Sequence, residues 1–251
     1  MSVIAICSGK GAPGATFVAA NLSAAMARAG EEILLLDVDP SGGDVCCYLA
    51  LDPRRGLYPL LRMEGGIPGP DRLLDEAEER AGFLAVSGFP EPCPVASPDA
   101  IAGLLKTARG TGRTVLADLG RVGEASGAAL GEADRIVLVV RPDLVSVLGA
   151  ERAVRRLDAA GVPRERMAVV ISGVARRRPA DRAEVEEALR IPVLHAIPLD
   201  RRGARKALVD QAPARTRRLR RAFDSLAERV SSDAVLSGAP AISAKTAGAT
   251  V

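Results

Sequence analysis

The sequence predicts a doubly wound α/β domain, in which a mostly parallel β-sheet carries helices on both faces. Seven short apolar runs recur along the 251 residues, with helix-length segments between most of them. Their hydrophobicity is continuous rather than alternating, which is typical of parallel strands that are buried on both sides. A glycine-rich turn follows the first run directly. Such a fold binds its ligand at the carboxyl ends of the strands.

The predicted elements follow in chain order. The strands are expected at Val3–Ser8, Glu32–Asp37, Phe83–Ser87, Thr114–Asp118, Arg135–Arg141, Met167–Ser172 and Val193–Ile197. The helices are expected at Thr16–Ala29, Pro98–Arg109, Val145–Ala160 and Arg182–Leu189, and a final helix begins near Arg215. Leu51–Pro70 is rich in Pro, Gly and Arg and is predicted to be an irregular excursion. We assign residues 1–230 to one domain and expect Ser231–Val251, which lacks apolar periodicity, to be a disordered tail.

The composition limits the classes of protein to consider. Apolar residues make up 48% of the chain and aromatic residues only 2%, so the core is built from Ala, Val, Leu and Ile. No apolar run approaches the ~20 residues of a membrane span, and no secretory signal is visible, so we expect a cytoplasmic protein without an integral membrane segment. The four cysteines lack a Cys-x-x-Cys spacing and are expected to be buried free thiols. His195, the single histidine, argues against histidine-based metal or triad chemistry.

The segment from Gly9 to Thr16, Gly-Lys-Gly-Ala-Pro-Gly-Ala-Thr, has the frame of a phosphate-binding loop. That frame is Gly-x4-Gly-Lys-Ser/Thr between a strand and a helix. Here Ala15 stands where the frame has its lysine, and a different lysine, Lys10, lies near the start of the loop. The frame predicts that the protein binds a nucleotide. The change at Ala15 predicts that what the protein does with this nucleotide is altered.

Most of the chemistry of this loop comes from its backbone. Glycines permit unusual backbone angles and a close approach of phosphate, and successive N–H groups form an anion cradle at the positive end of the helix dipole. The residues expected to contact the nucleotide are Gly9, Lys10, Gly11, Ala12, Pro13, Gly14, Ala15, Thr16 and Phe17, with the Thr16 hydroxyl on Mg²⁺. The missing lysine contact is worth roughly 1.5–3 kcal/mol, so we expect binding to survive and hydrolysis to be weak at most. The alternative is a glycine-rich turn that holds no ligand.

Carboxylates stand at the ends of two predicted strands. Asp37 and Asp39 follow the second strand in Leu-Leu-Asp-Val-Asp-Pro, and Asp118 ends the strand that begins at Thr114. A carboxylate in this position can hold Mg²⁺ directly or through water. We assign Asp39 and Asp118 to the magnesium site, with Asp39 also orienting water as a catalytic residue, and expect Asp37 to hold the loop or the metal shell. The alternative is that these aspartates only cap turns and helices.

These motifs, in this order, resemble the ParA/MinD family of P-loop ATPases, whose phosphate loop carries an early lysine. The resemblance covers about residues 2–230 and also includes the segment Ile-Pro-Leu-Asp that ends at Asp200. It implies ATP or ADP with Mg²⁺ as cofactors and a homodimer that sandwiches the nucleotide. In such a dimer Lys10 reaches the phosphates of the partner as a catalytic residue, while Pro198 and Asp200 belong to a loop near the adenine.

Two departures from the family pattern bear on function. Ala15 removes the lysine that each subunit supplies to its own nucleotide, and Phe17 replaces a second hydroxyl. The loss of that lysine looks like the TadZ/CpaE-like branch, which helps position and assemble Flp/tad-type pili at a cell pole. Septum-site-determining proteins are similar in pattern. The resemblance therefore implies recruitment to a pole or septum, with pilus or septum machinery as partners.

Three other functions stay open. A DNA-partitioning ATPase would bind non-specific DNA through the arginines of the segment Arg215–Phe223, opposite an apolar stripe. Arg176–Arg178 is a second basic cluster. A pseudo-ATPase scaffold would bind no nucleotide and keep the fold for protein contacts. An ATP-dependent ligase on the same fold would need further catalytic residues, and the sequence shows none.

Overall fold

One eight-stranded β-sheet organises the computed structural model, which describes residues 2–11, 13–64, 66–89, 96–123, 126–175 and 182–232. Its strands are β1 Val3–Ser8, β2 Ile33–Asp37, β3 Glu78–Arg80, β4 Phe83–Val86, β5 Thr114–Arg121, β6 Arg135–Val140, β7 Met167–Val174 and β8 Val193–Pro198. Their order is β3-β4-β2-β5-β1-β6-β7-β8. All are parallel except β3, which runs antiparallel to β4 at one edge. The predicted mostly parallel sheet is confirmed.

Helices cover both faces of this sheet, as predicted. In the described part of the chain they are α1 Ala15–Arg28, α2 Val45–Leu49, α3 Leu57–Glu64, α4 Pro70–Asp75, α5 Pro98–Arg109, α6 Ser126–Gly131, α7 Leu144–Ala159, α8 Arg182–Leu189, α9 Arg201–Asp210 and α10 Arg217–Ser231. Side chains of α1, α2 and α10 form one apolar cluster, and those of α5, α7 and α8 form a second. Alternate residues of β1 and β2 belong to opposite clusters, which explains why these strands are apolar throughout. No helix described here is long and apolar enough to cross a membrane.

Several segments differ from the prediction, which did not include the helices α2, α4, α6 and α9. Leu51–Pro70 is not irregular throughout, because α3 lies within it and buries Leu57 and Leu60 in the core. Pro59 is tolerated there because it sits in the first turn, where a backbone N–H would have no helical acceptor. The edge strand β3 escaped prediction because its sequence, Glu-Glu-Arg, has no apolar pattern.

The cysteines are only partly as expected. Cys7 is buried, and this burial raises the pKa of its thiol to about 12. Cys46 is half-buried and Cys47 is exposed, so the expectation of buried thiols is wrong for this pair, which lies in the short surface helix α2. Cys93 lies outside the described residues.

The terminal helix α10 has the predicted amphipathic character. Its apolar stripe, Leu219, Phe223, Leu226 and Val230, is buried against the sheet and α1. The helix ends at Ser231, so the first residue of the predicted tail is helical, and the tail from residue 233 onward lies outside the described residues. The assignment of residues 1–230 to one domain stays a prediction.

The carboxyl ends of β1, β2 and β5 lie side by side. Asp118 of β5 is in register with Asp37 of β2 on one side and with Ile6 of β1 on the other. The register between β1 and β5 then shifts, and Ser8 pairs with Arg121. The topology therefore brings the loop that follows Ser8 next to the predicted carboxylates.

Candidate nucleotide-binding site

The first turn of α1 presents unused backbone N–H groups. Gly14 precedes the helix with a φ of 95°, a left-handed conformation that glycine adopts without strain. No side chain caps this helix and its first turn contains no acidic residue. The N–H groups of a first turn lack helical acceptors, and here the helix dipole is not neutralised by a neighbouring carboxylate of the same turn. This is the backbone arrangement that an anion such as phosphate requires.

The three loop glycines have different roles. Only Gly14 has a positive φ, so the expectation of unusual backbone angles is wrong for Gly9 and Gly11. A Cβ at Gly9 would lie 2.2 Å from the carbonyl carbon of Gly149 in α7, so Gly9 is required for backbone packing. A Cβ at Gly11 would meet nothing within 4 Å.

A cavity of about 480 Å³ opens beside the loop, and we call it the phosphate cavity. It is lined by Ser8, Gly11, Pro13, Gly14, Ala15, Thr16, Phe17, Asp39, Ser41, Asp44, Tyr48, Gly120 and Arg121. The structure therefore brings most of the predicted loop residues together with Asp39. Ala12 lies outside the described residues. Gly9 and Lys10 do not line the cavity, and Asp118 lies buried behind Thr16.

The three strand-end aspartates are held differently. Asp37 is fully buried and accepts hydrogen bonds from the N–H groups of Val45 (3.0 Å) and Asp39 (3.4 Å), so it holds the loop after β2, one of its two predicted roles. Asp118 is also buried and accepts hydrogen bonds from the Thr16 hydroxyl and from the N–H of Gly120. Asp39 lies at the cavity wall against Gly120 and accepts a hydrogen bond of 2.8 Å from the N–H of Ser41.

Crowded carboxylates raise one another's pKa values at this edge of the sheet. Burial first, and then the charges of Asp39 and Asp44, raise the pKa of Asp118 to about 6, although the Thr16 and Gly120 hydrogen bonds oppose this. Burial and the charge of Asp118 raise the pKa of Asp37 well above its usual range. Burial also raises the pKa of Asp39. A divalent cation placed here would relieve this unfavourable concentration of negative charge.

The residues at this edge fit a magnesium ion that shares its ligands with a nucleotide. The described residues contain no group of three or more His, Cys, Asp or Glu side chains that could hold a metal by themselves. Mg²⁺ is usually bound by one or two protein oxygens together with phosphate oxygens and water. The Thr16 hydroxyl next to Asp118, at the amide cradle, matches that requirement.

Lys10 points away from the phosphate cavity of its own chain. Its Nζ lies 3.9 Å from Oδ1 of Asp143, which also accepts a hydrogen bond from the N–H of Ser146 at the start of α7. The Lys10 side chain remains 35% exposed. Its amine is therefore available at the surface beside α7 rather than at the loop's own anion cradle.

A second cavity of about 400 Å³, which we call the apolar cavity, shares Pro13, Gly14, Phe17 and Tyr48 with the first. Its remaining lining is Arg141, Ser172, Gly173, Ile197, Pro198, Leu199, Asp200, Arg201, Ala204, Arg205, Leu208 and Leu219, so charged side chains stand among apolar ones. The Phe17 ring lies 6.5 Å from that of Tyr48 and 5.7 Å from that of Phe223, in tilted and edge-on contacts. Pro198 and Asp200 are thus brought next to the phosphate loop, as expected for a nucleotide site.

The Asp200 carboxylate is already engaged within the protein. It caps α9 by accepting a hydrogen bond from the N–H of Gly203 (2.8 Å), and it accepts another from the Thr216 hydroxyl (2.8 Å). These two hydrogen bonds lower the pKa of Asp200. The geometry therefore gives Asp200 a capping role at the rim of the apolar cavity.

The sequence prediction missed six lining residues of the phosphate cavity, which are Ser8, Ser41, Asp44, Tyr48, Gly120 and Arg121. Tyr48 belongs to α2, a five-residue helix that is too short to show apolar periodicity. Arg121 could have been found, because it follows Asp118 by three residues at the end of the same strand.

A parallel sheet with an amide cradle after its first strand, and with a Thr–Asp pair beside that cradle, defines the P-loop class of nucleotide-binding folds. The family model described as the CobQ/CobB/MinD/ParA nucleotide binding domain matches residues 4–213. The chain belongs to this family, and the resemblance to ParA/MinD proteins is confirmed.

Individual relatives agree with the family match. A septum site-determining protein MinD from Thermotoga maritima is 25% identical over 173 residues, which cover 68% of this chain and 64% of that protein. Among solved structures, MinD from Pyrococcus horikoshii, complexed with Mg-ADP, superposes with a TM-score of 0.77 at 21% identity, covering 92% of this chain and 96% of that one. A ParA family ATPase from Chlorobium tepidum gives a TM-score of 0.76 at 19% identity, with coverages of 90% and 98%. At these identities the structural matches show a shared fold.

Proposed function

We propose that this chain is a nucleotide-gated positioning or assembly factor that binds Mg-ATP or Mg-ADP and hydrolyses ATP weakly or not at all. One observation carries the proposal: the amide cradle and the Thr16–Asp118 pair are intact, while Ala15 occupies the position of the missing lysine. Backbone amides bind phosphate in the ground state, whereas a cation at the transferred phosphate stabilises the transition state. Loss of the lysine therefore reduces turnover more than binding.

Each loop residue has a specific task in this function. The first-turn N–H groups of α1 bind the phosphates, and the Thr16 hydroxyl and Asp118 orient the magnesium shell. When bound, Mg²⁺ neutralises charge on the phosphate oxygens. Asp39 sits at the cavity wall, where it can hold a water molecule. The MinD structure from Pyrococcus horikoshii is a complex with Mg-ADP, which supports the choice of ligand.

Calorimetry with Mg-ATP and Mg-ADP, combined with phosphate release by the same preparation, tests this proposal. We expect micromolar or weaker binding and little or no turnover. Rapid phosphate release would mean that another cation has replaced the lysine fully, which contradicts a weak or inactive ATPase. An absence of binding to both nucleotides would leave a scaffold that uses the fold for protein contacts alone.

The surface beside the loop supports a nucleotide-linked homodimer. Leu144, Val145 and Leu148, at the start of α7, are 73%, 63% and 42% exposed, and they adjoin the Lys10–Asp143 contact. An apolar surface of this kind next to a partly exposed amine suits a second copy whose bound nucleotide attracts Lys10. Dimerisation would then depend on nucleotide, because the phosphate charge completes the interface.

Sedimentation with and without Mg-ATP tests the homodimer. We expect Lys10→Ala to weaken nucleotide-linked association by about tenfold or more and to change monomer affinity less. Lys106→Ala is the matched control, because Lys106 pairs with Glu132 on the surface and does not line either cavity. Equal sedimentation of wild type and Lys10→Ala in Mg-ATP contradicts the cross-dimer role.

In the cell we propose a role in positioning or assembly at a pole or septum, as part of Flp/tad-type pilus or septum machinery. The match to a septum site-determining protein and the lost lysine at Ala15 support this role. Localisation of a fluorescent fusion tests it: foci at poles or division sites support it, and a uniform distribution contradicts it. Co-purification with pilus secretion proteins or with septum proteins then decides between the two kinds of machinery.

A second candidate function, non-specific DNA binding, is favoured by one surface. The exposed arginines of α9 lie beside those of α10, because hydrogen bonds join the starts of the two helices. The Thr216 hydroxyl donates to Asp200, and Arg218 donates to the Leu199 carbonyl. They are Arg201, Arg202, Arg205, Arg217, Arg218, Arg220 and Arg221. Arg176–Arg178 lies outside the described residues. Duplex binding that weakens steeply with salt would support this function, and no binding at about 50 mM salt would contradict it.

A further inference from the structure

The phosphate cavity lacks a cation from its own loop. Ala15 removes the usual lysine, and Lys10 lies beside Asp143, outside the cavity. The charged side chains that do line the cavity are Asp39, Asp44 and Arg121. Arg121 is thus the one basic side chain among the described residues around this cavity. A polyphosphate entering here would meet two carboxylates and a single guanidinium.

Backbone contacts hold Arg121 next to the start of the phosphate loop. Ser8, the last residue of β1, pairs with Arg121, and the carbonyl of Ser8 accepts a hydrogen bond of 2.9 Å from the N–H of Val122. Ser8 Oγ lies 2.8 Å from the carbonyl oxygen of Lys10 and 3.1 Å from that of Gly120. The residues on both sides of Arg121 are therefore tied to the start of the phosphate loop.

Two features at Gly120 turn the chain toward the cavity. Gly120 has a φ of 60°, and a Cβ there would lie 1.8 Å from Oδ2 of Asp39. The glycine thus lets the Asp39 carboxylate approach the end of β5, while the next residue, Arg121, lines the same cavity. The charge of Arg121 also acts on Asp39, since it lowers the pKa of that carboxyl against the effect of burial. The guanidinium therefore acts electrostatically at the predicted magnesium site.

We propose that Arg121 is a phosphate-binding residue that replaces, from the end of β5, the cation that Ala15 removes from the loop. This inference rests on the proposed nucleotide binding at the same site. A guanidinium offers five N–H donors in a planar fork that matches phosphate oxygens, and it remains charged at any physiological pH. Its side chain is exposed and therefore free to rotate from the neighbourhood of Asp39 to the phosphates. When the guanidinium moves to the phosphates, the Asp39 carboxylate becomes available to contact the magnesium ion or its bound water.

Calorimetry with Mg-ATP and with Mg-tripolyphosphate tests this assignment in the full chain. Arg121→Gln is expected to weaken binding of both probes by about tenfold or more, because both carry the phosphates that the guanidinium contacts. Arg121→Lys is expected to restore part of the loss. Arg152→Gln, which removes an exposed charge on α7 away from both cavities, is expected to stay within twofold of wild type.

The double variant Ala15→Lys with Arg121→Gln separates a phosphate contact from a structural effect. Ala15→Lys is expected to restore the affinity lost in Arg121→Gln and to add less in the wild-type background, since the two cations serve the same phosphates. The unfolding midpoint without nucleotide should be the same in wild type and Arg121→Gln.

The outcomes distinguish this inference from the proposed function. Wild-type binding of Mg-ATP with unchanged affinity in Arg121→Gln overturns the role of Arg121 alone. A loss of affinity that is accompanied by a lower unfolding midpoint, and is not restored by Ala15→Lys, also overturns it. An absence of Mg-ATP binding by the wild type overturns both the nucleotide function and this inference.

Discussion

The phosphate cavity and the apolar cavity share Pro13, Gly14, Phe17 and Tyr48 but take their other residues from different parts of the chain. The phosphate cavity uses backbone amides and charged side chains from the ends of β1, β2 and β5, which neighbour each other in the sheet. The apolar cavity uses mainly apolar side chains from the ends of β7 and β8 and from α9 and α10, joined by Phe17, with Arg141, Asp200, Arg201 and Arg205 among them. The first is specified by local motifs, whereas the second depends on how distant segments pack.

This difference implies separate functions for the two cavities. Amides and charges recognise any polyphosphate, because each nucleotide presents the same phosphate oxygens. An apolar cavity with a few polar groups recognises the part of a ligand that is flat and poorly hydrated. Variants in one cavity should therefore alter the response to phosphate chains, and variants in the other should alter the response to the base.

The largest expected effect comes from the contact between the start of the phosphate loop and α7. Gly9→Ala places a Cβ 2.2 Å from the Gly149 backbone, so we expect it to destabilise the protein by about 3 kcal/mol or more. Gly11→Ala is the matched control, since its Cβ meets nothing within 4 Å, and we expect a change within about 0.5 kcal/mol. Urea unfolding measures both. Equal stabilities of the two variants would contradict the close contact with α7.

The next effect concerns the buried carboxylate behind Thr16. Because the pKa of Asp118 is raised to about 6, the folded state without ligand holds its proton more tightly than the unfolded state does. This contribution to stability is fully present below about pH 4 and is lost as the pH rises through about 6. Asp118→Asn, which still accepts the Thr16 hydroxyl, should therefore raise stability without magnesium at pH 7 by up to about 3 kcal/mol.

Unfolding in a chelating buffer at pH 5 and pH 7 checks this prediction. The loss of stability between these pH values should be smaller in Asp118→Asn than in wild type, and the part that remains comes from Asp37 and Asp39. The same variant should lose Mg²⁺-dependent nucleotide affinity by about 10–100-fold. An identical pH dependence of stability in both proteins would show that ionisation of Asp118 does not lower the free energy of unfolding.

A smaller effect is expected in the apolar cavity. Phe17→Ala removes the ring that contacts Tyr48 and Phe223, so we expect ATP affinity to fall about 3- to 10-fold. Binding of Mg-tripolyphosphate, which has no base, should be unchanged. Phe17→Leu keeps most of the apolar volume and serves as the control. A parallel loss for both probes would mean that the two cavities do not act separately.

The smallest effect is expected at Asp200, on the rim of the apolar cavity. Asp200→Ala removes the cap of α9 and should cost about 0.5–2 kcal/mol of stability, whereas Asp200→Asn keeps a capping side chain and should cost less. Neither variant should change the preference for ATP over GTP if the carboxylate only caps the helix. A changed preference in the stable Asn variant would instead place Asp200 in contact with the base.

The sequence predicted the phosphate side of the site better than the base side for a physical reason. A cradle between a strand and a helix is specified by consecutive residues, and Asp37 and Asp118 lie together because parallel strands end at one edge. The partners of Phe17, in contrast, come from α2 and α10, and no local pattern encodes their meeting. Lys10 shows what the sequence leaves undetermined: its position in the motif is clear, but the place of its side chain beside Asp143 of another segment is seen only in the structure.

The contact between Gly9 and Gly149 joins the phosphate loop to α7 without any intervening side chain. Because backbone packs directly on backbone here, no side chain can change rotamer to accommodate a movement of either segment. The phosphate loop and the start of α7 must therefore move together. The exposed leucines of α7 stand on that same body. A contact made at these leucines would therefore displace the phosphate loop as well, and the surface of α7 would be coupled to the carboxyl end of β1.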